Sequence, residues 1–490
     1  MTATAPPHAR GGRATPEGRP PRGWSGPAWL DGPMTSCHLV LGAAGLLLAI
    51  GLVMVLSASS TESALEGGSA WGPGIYQAVL AGVGLCATLA ALRLPTGLLR
   101  RWSPIALLVV VALLLLVLIP GIGQEHNGAR QWIDLGFTEF QPSELAKLVF
   151  ALWGAHVLAL RERYLTTRSL LVPVLPVFGV LALLVLFERD FGGVVTLLLV
   201  LIGLLWAGGM SLRLFGVFGV VGAVLLAAMI AIQPYRLERI TAFLHPFDDQ
   251  TDAGFQAVRG MYALAEGGFW GVGLGASRMK WNLLPEAESD YIFAIIGEEL
   301  GFLGCLVVVT LYGVLAWAGF RIARRSADRF VQLASVAITV WLVGQAAMNM
   351  GYVVGLLPVT GVQLPLISAG GTSLVLTLFI VGLLARFARS EPAAIEAQKG
   401  RERGRLARLL LPVPEAAVDP VRLRRRPEDR APAGTVEGGA RTVARGRPAP
   451  SRRPAPRDLP PVAVPPLRID LGRGRREPPP GAPRRPGGAR

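Results

Sequence analysis

Ten apolar runs, each close to the length of helix that crosses a lipid bilayer, constrain this 490-residue chain more than any other feature. A hydrocarbon core about 30 Å thick takes about 20 residues of α-helix. The runs cover Leu39–Ser57, Gly74–Leu92, Pro104–Ile119, Glu144–Leu160, Leu170–Phe187, Phe191–Gly208, Leu212–Ile232, Tyr291–Phe320, Phe330–Val354 and Gly371–Phe387. Lipid offers backbone amides and carbonyls no partner, so each run must satisfy its own hydrogen bonds as a helix. Only 17% of residues are charged and 52% are hydrophobic, against about a quarter charged in soluble domains. The expected fold is all-α: a polytopic membrane protein of about ten transmembrane helices, with a large extracellular loop between spans 7 and 8.

Charge gives the orientation. Arg93, Arg100, Arg101, Arg161, Arg163, Arg168, Arg213, Arg321, Arg324, Arg325 and Arg329 fall in one alternating set of short connections, whereas the other set holds only Arg130 and Arg189. The richer set is expected in the cytoplasm, and an even number of spans puts both termini there too. The net charge of +15 therefore belongs to tails and cytoplasmic loops, and no nucleic-acid partner is expected. Residues 1–37 and the Arg- and Pro-rich stretch 391–490 cannot build a core and are expected to be disordered. Basic charge in the second tail suits anionic membrane lipids or an acidic partner, or simply keeps the tail soluble. No cleavable signal peptide is expected, because the first apolar run starts only near His38. Residues 38–390 form the membrane domain, and residues 233–290 form its long external loop, far longer than an ordinary connection.

Counting spans brings several ionisable residues to one external rim. Arg130 follows the third span, Glu144 and Lys147 share a face of the fourth, and Asp190 opens the sixth. Arg236 and Arg239 follow the seventh span, Lys280 lies in the long loop, and Asp290 opens the eighth. Ionisable groups at membrane depth usually serve function and usually pair. Each also has a structural reading: Asp290 as a helix N-cap, Glu144–Lys147 as a helix-start ion pair, and Arg236 and Arg239 as interfacial anchors. Glu298 and Glu299 lie about 100° apart around a helix, so they are not expected to line one site, and at least one should pair with a polar group in another span.

Several chemistries are excluded. "EGGFWGVGLGAS" (266–277) lacks the lysine and hydroxyl of a phosphate loop and reads as a flexible loop. His126, His156 and His245 lack metal-ligand spacing; no metal site is expected, and a divalent cation is left open. Cys37, Cys86 and Cys305 are scattered and predict no disulfide framework. An external carboxylate among cations fits a synthetic reaction on a lipid diphosphate. The cations would hold the departing phosphates, while the carboxylate would take a proton from the attacking hydroxyl.

"GARQWIDLGFTEFQPSELAKL" (128–148), "ERDFGG" (188–193), "LPEAESDYIFAIIGEELG" (284–301) and "GLLPVTGVQLPLISAGGTS" (355–373) together resemble the shape, elongation, division and sporulation family of FtsW and RodA, over about residues 38–390. The resemblance implies a peptidoglycan glycosyltransferase that joins lipid II to a growing lipid-linked glycan strand through a β-1,4 bond. It implies Asp290 as general base, Arg130 and Lys147 on the diphosphate, and Glu144 and Asp190 around the same cavity. It also implies a class B penicillin-binding transpeptidase and other division proteins as partners, in the cell membrane at the septum. "VQLPLIS" (362–368) is closer to the FtsW pattern than to the RodA one. Arg189 replaces a common proline, Ala369 a tyrosine, and Arg259-Gly260 a common Gln-Ser pair. Two rival readings are a lipid II transporter, which would place its site near the midplane among broken helices, and a non-catalytic division scaffold.

Overall fold

The computed structural model describes residues 32–399 and Pro412, apart from residues 66–68, 127, 137, 163–165, 218, 221–245, 248–251 and 282–283. Among the described residues, eight helices are long and apolar enough to span a membrane. They are α1 (Thr35–Leu65), α2 (Gly72–Arg93), α3 (Thr96–Val117), α4 (Pro142–Leu160), α5 (Thr167–Phe187), α8 (Ile292–Arg325), α9 (Arg329–Val353) and α10 (Gly371–Arg389). A ninth apolar helix, α6 (Phe191–Ala207), has 17 residues and rises about 26 Å, near the lower limit for a span. The expected seventh span, Leu212–Ile232, is helical at 212–217 and 219–220 and otherwise lies outside the described residues, and a further helix, α7 (Asp252–Gly267), follows it in the chain. The chain is thus a multi-pass, helical membrane protein.

Local chemistry sets the helix ends. Pro142 occupies the first position of α4, where its missing N–H costs nothing. Thr166 and Ser169 form a reciprocal capping box at the start of α5, and Asp190 caps α6 by accepting from Gly193 N at 2.6 Å. Asp328 caps α9 through Phe330 N at 3.0 Å. Each satisfies amides that the first helical turn leaves free.

The two loop sets gather at opposite ends of the bundle. At one end Arg100 pairs with Asp328, Arg329 donates to Ala207 O at 3.0 Å, and Arg386 donates to Leu94 O at 3.1 Å. A cavity of about 240 Å³ near this end, between Leu98, Trp102 and Val149, is apolar. At the other end, the loop after the third span is not irregular but a small antiparallel sheet, β1 (Gly123–His126), β2 (Ala129–Asp134) and β3 (Glu139–Phe140) in the order β1-β2-β3. Thr372 at the start of α10 donates to Glu139 O at 2.9 Å and ties the sheet to the bundle.

Two further features depart from the sequence expectation. Disorder was expected from residue 391, yet α11 (Pro392–Lys399) follows immediately, with Ala394, Ile395 and Gln398 buried. Its Gln398 accepts from Arg389 Nη2 at 2.9 Å, so three small or amphipathic residues give this short stretch something to bury. The second departure is α8, which is broken at Gly301 (φ 68°, ψ −166°). From Phe302 to Arg325 it rises about 36 Å and spans the hydrocarbon core unaided. The nine residues before the break are therefore not needed for the crossing.

Residues 362–368 run through the protein interior without forming a helix. Val362, Leu364, Leu366, Ile367 and Ser368 are all buried, and Leu366 takes φ 70°. Non-helical backbone at such depth is tolerable only where protein groups satisfy it. Gln77 of α2 donates to Ser368 O at 3.2 Å, Tyr312 of α8 to Pro365 O, and Gln345 of α9 to Gln363 O at 3.0 Å. Gly51 of α1 makes room: a Cβ there would lie 2.6 Å from Leu366 O.

Candidate active site

Asp290 lies two residues before α8 at the hairpin end. The helix N-cap is Tyr291, with no side-chain cap, so the N-cap reading of Asp290 fails. Its backbone carbonyl is held instead, accepting from Asn349 Nδ2 at 2.9 Å and from Tyr352 Oη at 2.8 Å. Asn349 Nδ2 also donates to Val362 O at 2.8 Å, and Tyr352 Oη, with one proton to give, lies 2.9 Å from that same oxygen. Two more bonds lock the neighbouring residues to the buried segment: Ser368 Oγ to Ser289 O at 2.6 Å and Ala369 N to Glu288 O at 2.9 Å. The backbone of Asp290 is thereby fixed from three sides.

Its carboxylate is treated differently. Among the described residues, no hydrogen bond or ion pair reaches it, and Gly361 (φ 65°) lies alongside, where a Cβ would come 3.4 Å from Oδ2. Burial, and secondly the Glu286 carboxylate, push its pKa up to about 7. A carboxyl poised near neutrality, with free oxygens, suits proton abstraction.

The 360–362 turn also touches the Asp190 side of the site. A Cβ on Gly192 would lie 2.8 Å from Thr360 O and 3.6 Å from Asp190 Oδ1. Asp190 Oδ2 accepts from Ser143 Oγ at 3.0 Å and Gln141 Nε2 at 3.2 Å; burial raises its pKa, and Lys147 is among the groups that lower it. Lys147 donates to Glu144 at 2.6 Å, is almost fully buried and sits 5.1 Å from the centre of the Trp341 ring. The helix-start ion pair is therefore present, but its lysine faces Trp341 and Asp190, not solvent. Along α9, Trp341 donates to Gln345 at 2.8 Å, and Asn349 follows one turn on. This face carries the site from Lys147 to Asp290 over a rise of about 12 Å.

Arg130 stands on β2, with Nη2 3.1 Å from Glu125 Oε2 and its backbone N donating to Glu188 O at 3.1 Å. Arg189 takes φ 64°, a conformation closed to the proline common at this position. Lys280, grouped with the site by sequence, joins a different one: Nζ reaches Gly275 O at 2.6 Å and Glu299 Oε1 at 3.6 Å. Arg236 and Arg239 lie outside the described residues. Glu298 and Glu299 converge despite their angular separation. Ser277 Oγ donates to Glu298 at 2.5 Å and Ser277 N to Glu299 at 3.4 Å, because the 273–280 loop wraps the helix end. Nor is the glycine-rich stretch a loose loop: Val272 N and Gly273 N donate to Glu298 O and Glu299 O at 2.9 and 3.0 Å, filling the break at Gly301.

Sequence reasoning missed four groups. Gln345, Asn349 and Tyr352 are polar residues at helical spacing inside an apolar span, a signal that was available. Glu188 is fully buried and, among the described residues, has no hydrogen bond to its carboxyl oxygens. Burial and the neighbouring Asp190 push its pKa up to about 9, so it carries a proton at pH 7. Among the described residues, no group of three or more His, Cys, Asp and Glu side chains could hold a metal.

The family model described as "Cell cycle protein", covering FtsW, RodA and SpoVE, matches residues 37–392. The chain belongs to the FtsW–RodA–SpoVE family. Among FtsW–RodA–SpoVE members, it is 45% identical over 396 residues to "Probable peptidoglycan glycosyltransferase FtsW" of Mycobacterium tuberculosis, covering 80% of this chain and 75% of that one. It is 36% identical over 345 residues to stage V sporulation protein E of Bacillus subtilis, covering 70% and 94%. A chain of a solved peptidoglycan synthase complex, described as coordinating polymerization and crosslinking, superposes with a TM-score of 0.60 at 27% identity, over 72% of this chain and 97% of that one.

Proposed function

We propose that this protein is a peptidoglycan glycosyltransferase acting at the hairpin end, which we take to face the outside of the cell membrane. The reading rests on one observation above all: Asp290 has a backbone carbonyl anchored by α9 and a carboxylate that no described group engages. The relatives named as peptidoglycan glycosyltransferases support the reaction class, and on this reading the substrates are lipid II and a growing lipid-linked strand. The acceptor's 4-hydroxyl oxygen attacks the donor's anomeric carbon as the bond from that carbon to the diphosphate oxygen breaks. Asp290 takes the hydroxyl proton, and the diphosphate leaves with the electron pair. Arg130 and Lys147 offset the charge that develops on it, with Glu144 and Asp190 keeping Lys147 charged and oriented. A general base of this type contributes about 10²–10⁴-fold.

The likeness to a synthase-complex chain supports a class B penicillin-binding transpeptidase as partner, the FtsW-like relatives support work at the division septum, and the arginine-rich loops support both termini inside. A transporter would use the break in α8 as a binding site, but the carbonyls freed at Glu298 and Glu299 already accept from Val272 and Gly273. Purified full-length protein with its transpeptidase partner and lipid II tests the reading. Polymer should form with wild type and vanish with Asp290→Asn; unchanged polymer from that variant overturns it.

A further inference from the structure

Helix α5 ends in two diagnostic bonds, Asp190 N to Val185 O at 3.2 Å and Arg189 N to Leu186 O at 3.0 Å. This is the Schellman arrangement, and its left-handed position normally holds glycine. Here it holds arginine, at φ 64°, a conformation that disfavours any side chain bearing a Cβ. Backbone strain that a glycine would relieve is most often kept where the side chain has work.

That side chain is exposed and spans 61 residues of sequence to donate from Nη1 to Gly128 O at 3.0 Å. Gly128 is the tip of the β1–β2 hairpin, and Arg130 follows two residues later with its own N–H on Glu188 O at 3.1 Å. The short connections at this end contain two arginines, and the fold brings both to one hairpin tip. A guanidinium has five donors in a flat fork. One N–H of Arg189 is committed to Gly128, and Arg130 Nη2 is committed to the half-exposed Glu125.

We propose that Arg189 and Arg130 form a two-arginine clamp for the diphosphate of the lipid-linked donor, with Arg189 as a substrate-binding residue in its own right. Two forks brought to one hairpin, one from β2 and one from the end of α5, match two phosphates with paired, charge-assisted bonds. This rests on the glycosyltransferase reading for its substrate, but the clamp can be tested without turnover.

The test uses the full-length chain in phosphatidylcholine nanodiscs, with undecaprenyl diphosphate as the probe, followed by polymerisation of lipid II with the partner present. Arg189→Gly and Arg189→Asn both tolerate the left-handed backbone while removing the cation. Each should weaken the Kd for undecaprenyl diphosphate, and raise KM for lipid II, by about tenfold, with kcat nearly unchanged. Arg189→Lys should recover part of the loss. Unchanged Kd in both neutral variants, with thermal stability like wild type, overturns the clamp. So does equal competition by phosphatidylglycerol, which would assign the arginines to ordinary lipid headgroups. If Asp290→Asn still polymerises, the functional reading falls while the Kd comparison still decides the clamp. If Asp290→Asn is inactive and Arg189→Gly binds normally, the clamp alone is lost.

Discussion

Asp290 lies just before the short first stretch of α8 and the Glu298–Glu299 pair at its far end, and the protein treats them in opposite ways. Glu299 accepts from Ser57 Oγ at 2.7 and 2.8 Å and lies 3.6 Å from Lys280. Glu298 accepts from Ser277 and from Arg278 N at 2.6 Å. These side chains are saturated and bind loop, α1 and α8 together. At Asp290 the bonds go to the backbone, and the carboxyl is left open. Buried charge with partners organises structure; a fixed backbone with an unengaged carboxyl is what a reaction can use. The contrast also corrects the placing of Lys280, which serves the saturated end.

Substitutions at the two ends should part company. The largest effect is expected from Asp290→Asn: loss of polymerisation by about 10²–10⁴-fold, with the thermal midpoint unchanged or raised because no buried charge has to be carried. An assay on lipid II alongside a detergent-compatible melting curve checks both. Glu299→Ala should do the reverse, costing about 3–5 kcal/mol of stability by leaving Lys280 buried without its counter-charge. The melting midpoint would fall sharply, and whatever protein stayed folded would still polymerise.

Between these lies Asn349→Leu, which removes a donor from both Asp290 O and Val362 O. Tyr352 has one proton and can serve only one of the two carbonyls; the other, left unsatisfied, costs about 1–3 kcal/mol, and the displaced base should lower kcat more than it raises KM. Steady-state kinetics separate the two. The smallest effect concerns pH. The base must be ionised, so kcat/KM should rise with pH and level off above about 7. Glu286→Gln removes a negative neighbour and should move the inflection lower. The sign for stability is opposite: a carboxyl with a raised folded pKa favours the fold fully below its ordinary value of about 4, and that contribution is lost as pH rises through about 7.

The spans were legible because a run of apolar residues has one stable form in lipid. The convergence of Asp190, Glu144 and Lys147 was legible for a related reason: counting spans fixes the level of each residue. What stayed hidden depends on pairing across long separations. The break at Gly301 reads as one glycine in an apolar run, and only the amides of Val272 and Gly273 explain it. The buried course of 362–368 looks like an ordinary Pro- and Gly-flanked loop until Gln77, Gln345 and Asn349 are seen to serve it. Lys280 carries the right charge for the site, and its sequence position does not say that Glu299 claims it.

A buried segment that is neither helix nor strand has only one short turn of its own, closed on Leu364 O, to hold it. Residues 362–368 take their position from α1, α2, α8 and α9, and they in turn carry the residues beside Asp290. Tilting any one of those four helices shifts the seat of the base. A force applied far off in the bilayer thus has a mechanical route to the chemistry, with no moving flap required.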